Sequence, residues 1–238
     1  MKRKLFCLVL TIVLATSFSQ SLVAAKTITN DVYVEYENGL SQNDVPGYLV
    51  HEIIASNPNA HNITIYEIGE AKQMVTDAPM ALEMKTNLIA PMSFFPVVYY
   101  YTKTEKYIRS QNVLNKDVFQ FSCAKGQTVT LTQSYNVTVK GSFAGEVFDS
   151  TKLGIDVSLT GGYSKSTSYT GPSDSSPYNS RQFRTKFYEN VVAYIQYADG
   201  YSIRDKGEPV FIGTSTKSGN LYIPTYYVNY SVDSYVSQ

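Results

Sequence analysis

The sequence predicts a mainly β protein: elongated antiparallel sheets or a β-sandwich, with one very long amphipathic hairpin and a minor helical part near the N-terminus. Three observations carry this. Residues 128–170 alternate apolar and small polar side chains almost without error through two runs separated by a short turn, and a period of two is the pattern of a strand with one buried face. The chain holds 21 Tyr and 11 Phe, no Trp, and abundant Ser and Thr, residue types that suit a pleated, half-buried surface. Charged residues make up only 17%, and helical spacing shows clearly in one short stretch near the N-terminus.

In chain order, residues 1–25 carry a Lys2-Arg3-Lys4 head, an apolar core from Leu5 to Ala15 and small residues at Val23-Ala24-Ala25, the pattern of a secretory signal cleaved near Ala25. The apolar core is shorter than the ~20 residues a membrane-spanning helix needs, so the expected localisation is secreted. Loss of the signal removes Cys7 and three cations, leaving about 213 residues with a mildly negative balance and Cys123 as the only thiol. No internal disulfide is then possible, and nothing in the charge pattern points to nucleic acid. Phe119, Phe121 and Cys123 share one strand parity, which makes Cys123 a small buried hydrophobe before a nucleophile.

The mature chain divides into an expected N-terminal mixed α/β lobe, 26–117, and a β-rich region, 118–238. Ile28, Val32, Val34 and Tyr36 alternate as an opening strand. Asp44, Pro46 and the spacing of Tyr48, Leu49, Ile53 and Ile54 predict a helix that ends before Asn57-Pro58-Asn59. Ile63, Ile65 and Ile68 give a short strand, and a helical turn is expected near Ala71–Val75. Strands follow at Met92–Tyr101, at Lys103–Ile108 and from Val118 into the hairpin. After the loop Gly171–Pro177, Phe183, Thr185 and Phe187 alternate into Val191–Tyr197, with a turn expected at Asp199-Gly200. The tail supplies strands at Pro209–Ile212, Leu221–Ile223 and Tyr226–Val236.

Conventional catalytic strings are missing: there is no G-x-S-x-G, no G-x-x-x-x-G-K-[ST], no H-E-x-x-H and no C-x-x-C. The only histidines, His51 and His61, lie either side of a turn-rich segment, a poor start for a metal site even with Glu52 or Glu67. No enzyme activity, cofactor or metal is expected. The sequons at Asn62, Asn136 and Asn229 read first as exposed-strand composition.

The weight falls on the hairpin. If Val147 pairs with Leu153 across a five-residue loop, Phe143 opposes Val157, Gly141 opposes Leu159, Val139 opposes Gly161 and Val137 opposes Tyr163, so the apolar faces coincide throughout. Either run exceeds the ~9–11 residues that cross a bilayer as a strand. The Ser/Thr face suits a water-filled lumen. One hairpin alone would leave its outer edges unpaired in lipid, so spanning needs several copies closed into a barrel.

A Ser/Thr-rich strand, a turn, a second strand reading Gly154-Ile155-Asp156-Val157-Ser158-Leu159-Thr160-Gly161-Gly162-Tyr163-Ser164-Lys165-Ser166, a polar loop and the apolar strand Val191–Tyr197 together resemble the pore-forming module of aerolysin-type and epsilon-toxin-like β-pore-forming toxins, over about residues 126–197. The resemblance implies an exported protein that forms a homo-oligomer on a target membrane and inserts a hairpin into a shared pore. It would place Val137, Val139, Phe143, Val147, Leu153, Ile155, Val157 and Leu159 against lipid, Thr138, Ser142, Ser158 and Thr160 toward the lumen, and Phe148 at the leading tip. A glycan or surface-protein receptor is a further expected partner. The alternative is an exported, non-enzymatic β-sandwich that binds a partner or a cell surface without pore activity, its apolar strand faces forming an ordinary core.

Overall fold

The computed structural model describes residues 27–29, 32–71, 96–203 and 207–235. The expected signal, the expected helical turn past Ala71 and residues 92–95 of the first aromatic run lie outside the described residues. Among these residues the chain is mainly β, with one short α-helix near the N-terminus. Its elements are β1 (Thr27–Thr29), β2 (Val32–Tyr36), α1 (Gly47–Ser56), β3 (Asn62–Glu70), β4 (Val97–Ala124), β5 (Thr128–Thr130), β6 (Tyr135–Lys140), β7 (Ser142–Gly145), β8 (Ser158–Tyr163), β9 (Ser168–Thr170), β10 (Ser180–Ser202) and β11 (Val210–Ser234).

Three strands dominate. β4, β10 and β11 are 28, 23 and 25 residues long, several times the usual ~5–6. β10 lies between the other two and pairs antiparallel with both along its whole length. The main sheet runs β1-β2-β3-β11-β10-β4, and among the described strands only the β2–β3 pair is parallel. Ser180 at the start of β10 lies opposite Ala124 at the end of β4. Residues 125–179 are therefore an insert whose two ends meet, hung on a strand pair that is complete without it.

Several expected breaks are absent. The polar run Arg109-Ser110-Gln111-Asn112 interrupts the apolar pattern, and β4 continues through it as a bulge: of the four only Ser110 pairs with β10, and Asn112, at φ 52°, donates its N–H to Asn190 Oδ1 at 2.9 Å in place of a ladder bond. The boundary expected at residue 117 falls inside this strand. Asp199-Gly200 is no turn. Asp199 pairs with Thr214, whose hydroxyl donates to its carboxylate at 2.7 Å, and Gly200 faces Gly213 at a bulge, so this glycine pair marks a ladder irregularity instead of a reversal. The three expected tail strands are one, with Pro224 accommodated at the bulge opposite Glu189.

α1 forms where predicted. Leu49, Val50 and Ile53 turn inward onto Val34, Ile63, Ile65, Val228 and Tyr230 of the sheet. Asn57 closes the helix, its side-chain amide donating to Ile53 O at 2.8 Å. Asp44 does not cap α1; it closes a preceding 3-10 turn by accepting from Ser41 N and Oγ at 2.7 and 2.6 Å.

Polar groups also bind α1 to the long strands. Lys186 on β10 has a side-chain exposure of 0% and donates to both Glu52 oxygens, at 2.9 and 3.1 Å, and to Ser56. Tyr188 donates to the same carboxylate, and burial followed by that bond pushes its hydroxyl well above the usual tyrosine range. Asp117 of β4 accepts from Arg184 of β10 and Tyr230 of β11, each at 3.0 Å, so one carboxylate ties all three long strands. Glu52→Ala strands a fully buried ammonium, and should lower unfolding free energy by about 2–4 kcal/mol, somewhat less than a fully buried pair because Glu52 itself is partly solvated. Urea unfolding checks this, and adding Lys186→Met should recover part of the loss.

Candidate functional site

On the sheet face opposite α1, the insert lies folded down along β10 and β11. Two pairings survive from the expected hairpin, β5 with β9 and β6 with β8, in a common register that sets Thr128 against Thr170 and Val139 against Leu159. The partners are displaced by two residues from those expected: Val137 meets Gly161, not Tyr163, and Val139 meets Leu159, not Gly161. A shift of two preserves every side-chain face. The ladder also stops early, at Lys140–Ser158. Beyond it Ser142–Gly145 leaves its expected partner and pairs as β7 with Gly219–Tyr222 of β11, while Ser150–Leu153 coils into a 3-10 turn. The five-residue loop between Val147 and Leu153 is thus replaced by a tip that crosses the face of the long strands.

Three levels of contact hold the insert down. At its base is an aromatic box: Phe121 and Phe183 stack with centroids 4.6 Å apart, Tyr163 and Tyr169 meet them edge-on, and Tyr66, Leu131 and Cys123 close the sides. The Tyr163 hydroxyl lies within donating distance of the carbonyls of Arg184 and Tyr230, at 2.9 and 2.8 Å; burial drives its titration far above the normal range, so it remains a donor. Burial likewise raises the Cys123 thiol, which packs at 1% exposure as a small hydrophobe. Phe119 points to solvent instead, because a register shift between Phe183 and Arg184 breaks the parity it shared with Phe121.

In the middle, Gly161 lies on the Tyr227 ring, where an added Cβ would stand 2.5 Å from ring carbons. Asn229 donates to Gly162 O at 2.6 Å and to Glu67, while accepting from Thr185. This sequon asparagine is 1% exposed, so its exposed-strand reading is corrected: it is an internal strut.

At the tip, apolar contact is joined by side chains that grip the backbone. Leu153 is fully buried against Val192, Tyr194 and Leu221, flanked by Phe143, Val147 and Ile155. Gln196 of β10 accepts from Phe148 N and Asp149 N, at 2.8 and 3.0 Å, and donates to Asp149 O at 2.6 Å. Tyr194 donates to Glu146 O at 3.0 Å, Lys217 to Val147 O at 3.2 Å, and Lys106 to Leu153 O at 2.6 Å. Burial pushes the Lys106 ammonium below its usual range. Phe148 sits between Tyr99 and the Lys217 ammonium, 4.9 Å from its ring centre.

The residues singled out in the sequence separate cleanly by face. Leu153 and Leu159 are buried, and Val137, Val139, Phe143, Val147, Phe148, Ile155 and Val157 are half-buried. Thr138, Ser142, Ser158 and Thr160 are exposed. Along that outer face hydroxyls pair across the strands, Thr128 with Thr170 at 3.1 Å, Thr130 with Ser168 at 2.8 Å and Thr138 with Thr160 at 2.8 Å. The grip of Gln196, Lys106, Lys217 and Tyr194 was not anticipated. Gln196 carried a signal, as a lone amide inside the apolar block Val191–Tyr197.

His51 lies exposed on α1, and His61 stands beside Tyr178, so the two do not converge. No helix among the described residues is long and apolar enough to cross a membrane. No protein-family profile, curated protein or solved structure matches this chain.

Gln196→Ala removes three bonds at once and should weaken tip docking by about 1–3 kcal/mol. Hydrogen exchange is expected to accelerate in residues 142–157 while the β4–β10 and β10–β11 ladders keep their protection.

Proposed function

We propose that the chain is an exported pore-forming protein of the aerolysin-like kind, which assembles as a homo-oligomer on a target membrane and contributes residues 128–170 as an amphipathic hairpin to a shared barrel. The observation that carries this reading is the division of labour around Ala124 and Ser180. The frame β4–β10–β11 is paired without the insert, and the insert is docked by a face that would equally suit lipid. Lifting it off exposes Leu153, Phe143, Ile155 and their neighbours, a surface that must find either the sheet again or an apolar medium. In the released hairpin Ser142–Gly145 gives up β11 and extends the β6–β8 ladder. Both arms then exceed the ~9–11 residues that span a bilayer, with Thr138, Ser142, Ser158 and Thr160 on the wet side.

A covalent lock tests the reading. Ala144 of β7 faces Asn220 of β11, and opposed antiparallel Cα atoms sit ~4.5–5.5 Å apart, within disulfide range. The variant Ala144→Cys, Asn220→Cys, oxidised, should release less than a tenth as much dye from loaded vesicles as the same protein after reduction, which should match the unmodified chain. Equal release by both forms overturns insertion of this hairpin. Absence of release by the unmodified chain, from zwitterionic, anionic and sterol-containing vesicles and from vesicles of whole-cell membrane extract, overturns the pore reading.

A further inference from the structure

At the Ser180 end of the long strands, on the outer side of β2, the surface folds into an open cavity of about 570 Å³, within the ~300–1,000 Å³ of small-ligand sites. Its position follows from strand parity: Val32, Val34 and Tyr36 face the core, so Tyr33 and Glu35 face out into the cavity. Beside them are His61 and Asn62 at the start of β3, where Tyr33 pairs with Asn62 and its N–H donates to His61 O at 2.8 Å, and the lining includes Tyr178 on the loop that closes the insert. Arg181 and Asp233, from the first turn of pairing between β10 and β11, form the floor.

The floor is built and fixed. Arg181 grips Asp233 through two parallel bonds, Nε to Oδ1 at 2.6 Å and Nη2 to Oδ2 at 3.0 Å, while Nη1 reaches Thr170 O at 3.3 Å. Asp233 is 4% exposed, and the Asn62 amide donates to it at 3.4 Å. The loop is tied as well, Lys125 donating to Ser176 O at 2.6 Å and Tyr178 N to Ser176 Oγ at 3.2 Å. The rim is aromatic: the Tyr178 ring lies 5.8 Å from that of His61, tilted by 31°, and Tyr33, whose N–H donates to His61 O, is 40% exposed.

We propose that this cavity binds a neutral sugar ring, as the terminal residue of a glycan. A pyranose has a C–H face that rests on an aromatic ring and an edge of vicinal hydroxyls that both donate and accept. Planar groups held in advance, here a carboxylate, a guanidinium and an amide, meet that edge with little loss of side-chain freedom. Charge selects against the main rival chemistries. Glu35 and Asp233 outnumber Arg181, which opposes a phosphate or carboxylate ligand, and a lipid chain or apolar peptide would cover the Arg181–Asp233 floor without offering it a hydrogen bond. Arg181 and Gln196 are fifteen positions apart on β10, about 50 Å along a strand. Sugar binding therefore neither needs nor obstructs the hairpin tip, and it stands whether or not the hairpin enters a membrane.

Saturation-transfer NMR of the purified protein with free galactose, glucose, mannose and N-acetylglucosamine, together with an array of their oligosaccharides, tests the site. At least one sugar is expected to receive magnetisation, most strongly at its ring C–H protons. Tyr178→Ala and Asn62→Ala should each weaken it about tenfold, with thermal unfolding unchanged. Tyr178→Phe, which keeps the ring, and the remote Gln196→Ala should bind as the parent does. Failure of every sugar and oligosaccharide to bind, binding undiminished by both weakening variants, or displacement by choline or inorganic phosphate each overturns the proposal.

Discussion

A central strand has to pair both its edges, and β10 does so along its length, with β4 on one side and β11 on the other, Asn190 alone having a partner only on β11. Much else in the molecule follows from that backbone requirement. The ends of the insert are pinned at Ala124 and Ser180, so 55 residues leave and return at one point without altering the ladder. Their apolar parity has one large surface within reach, the face of β10 and β11 not taken by α1. The α1 face is sealed by a different device, in which Lys186 and Asp117 hold charges between strands and helix. One strand thus separates a permanent core from an applied one.

The applied core is graded along its length. Near the base, interlocked rings around Phe183 and the Tyr163 hydroxyl leave few alternatives to the docked geometry. Toward the tip, the grip passes to Gln196, Tyr194, Lys217 and Lys106, each holding a main-chain group. Water can replace such bonds one for one, and a typical exchange nets only ~0.5–1.5 kcal/mol. Dry packing around Leu153 has no such substitute. By contact chemistry, the weakest part of the docked insert is therefore Glu146–Asp149, and the parts that would resist opening are the dry packing at Leu153 and, most of all, the base at Tyr163.

Much of this was legible in side-chain parity. The fold class, α1 and the separation of Val139, Leu153 and Leu159 from Thr138, Ser158 and Thr160 follow from period and composition alone, because parity survives a register shift of two. Continuity was not legible. Arg109–Asn112, Asp199-Gly200 and Pro224 all read as breaks, since polarity, turn propensity and a missing N–H are local properties, whereas the ladder is enforced by a partner remote in sequence. The tip was misread for a related reason. Phe143 and Val157 match as cross-strand neighbours, but Phe143 finds Leu221 instead, and no pattern inside the hairpin records that outside competitor. Nor does any local pattern bring Tyr33, His61, Tyr178 and Arg181 into one cavity.

The spacing of the long strands along the chain also orders their formation in time. β10 and β11 are joined by the short connection between Ser202 and Val210, so their pairing closes a small loop and can grow from it. β4 pairs with β10 only across the whole insert, with Val97 eventually meeting Ser202 more than a hundred positions away. Pairings of such separation form slowly, and until then β4 lacks the partner for its inner edge. The nascent chain therefore carries a 28-residue strand with both edges open before the strand that will cover one of them has been made, and an open strand edge in that interval is a template for misassembly.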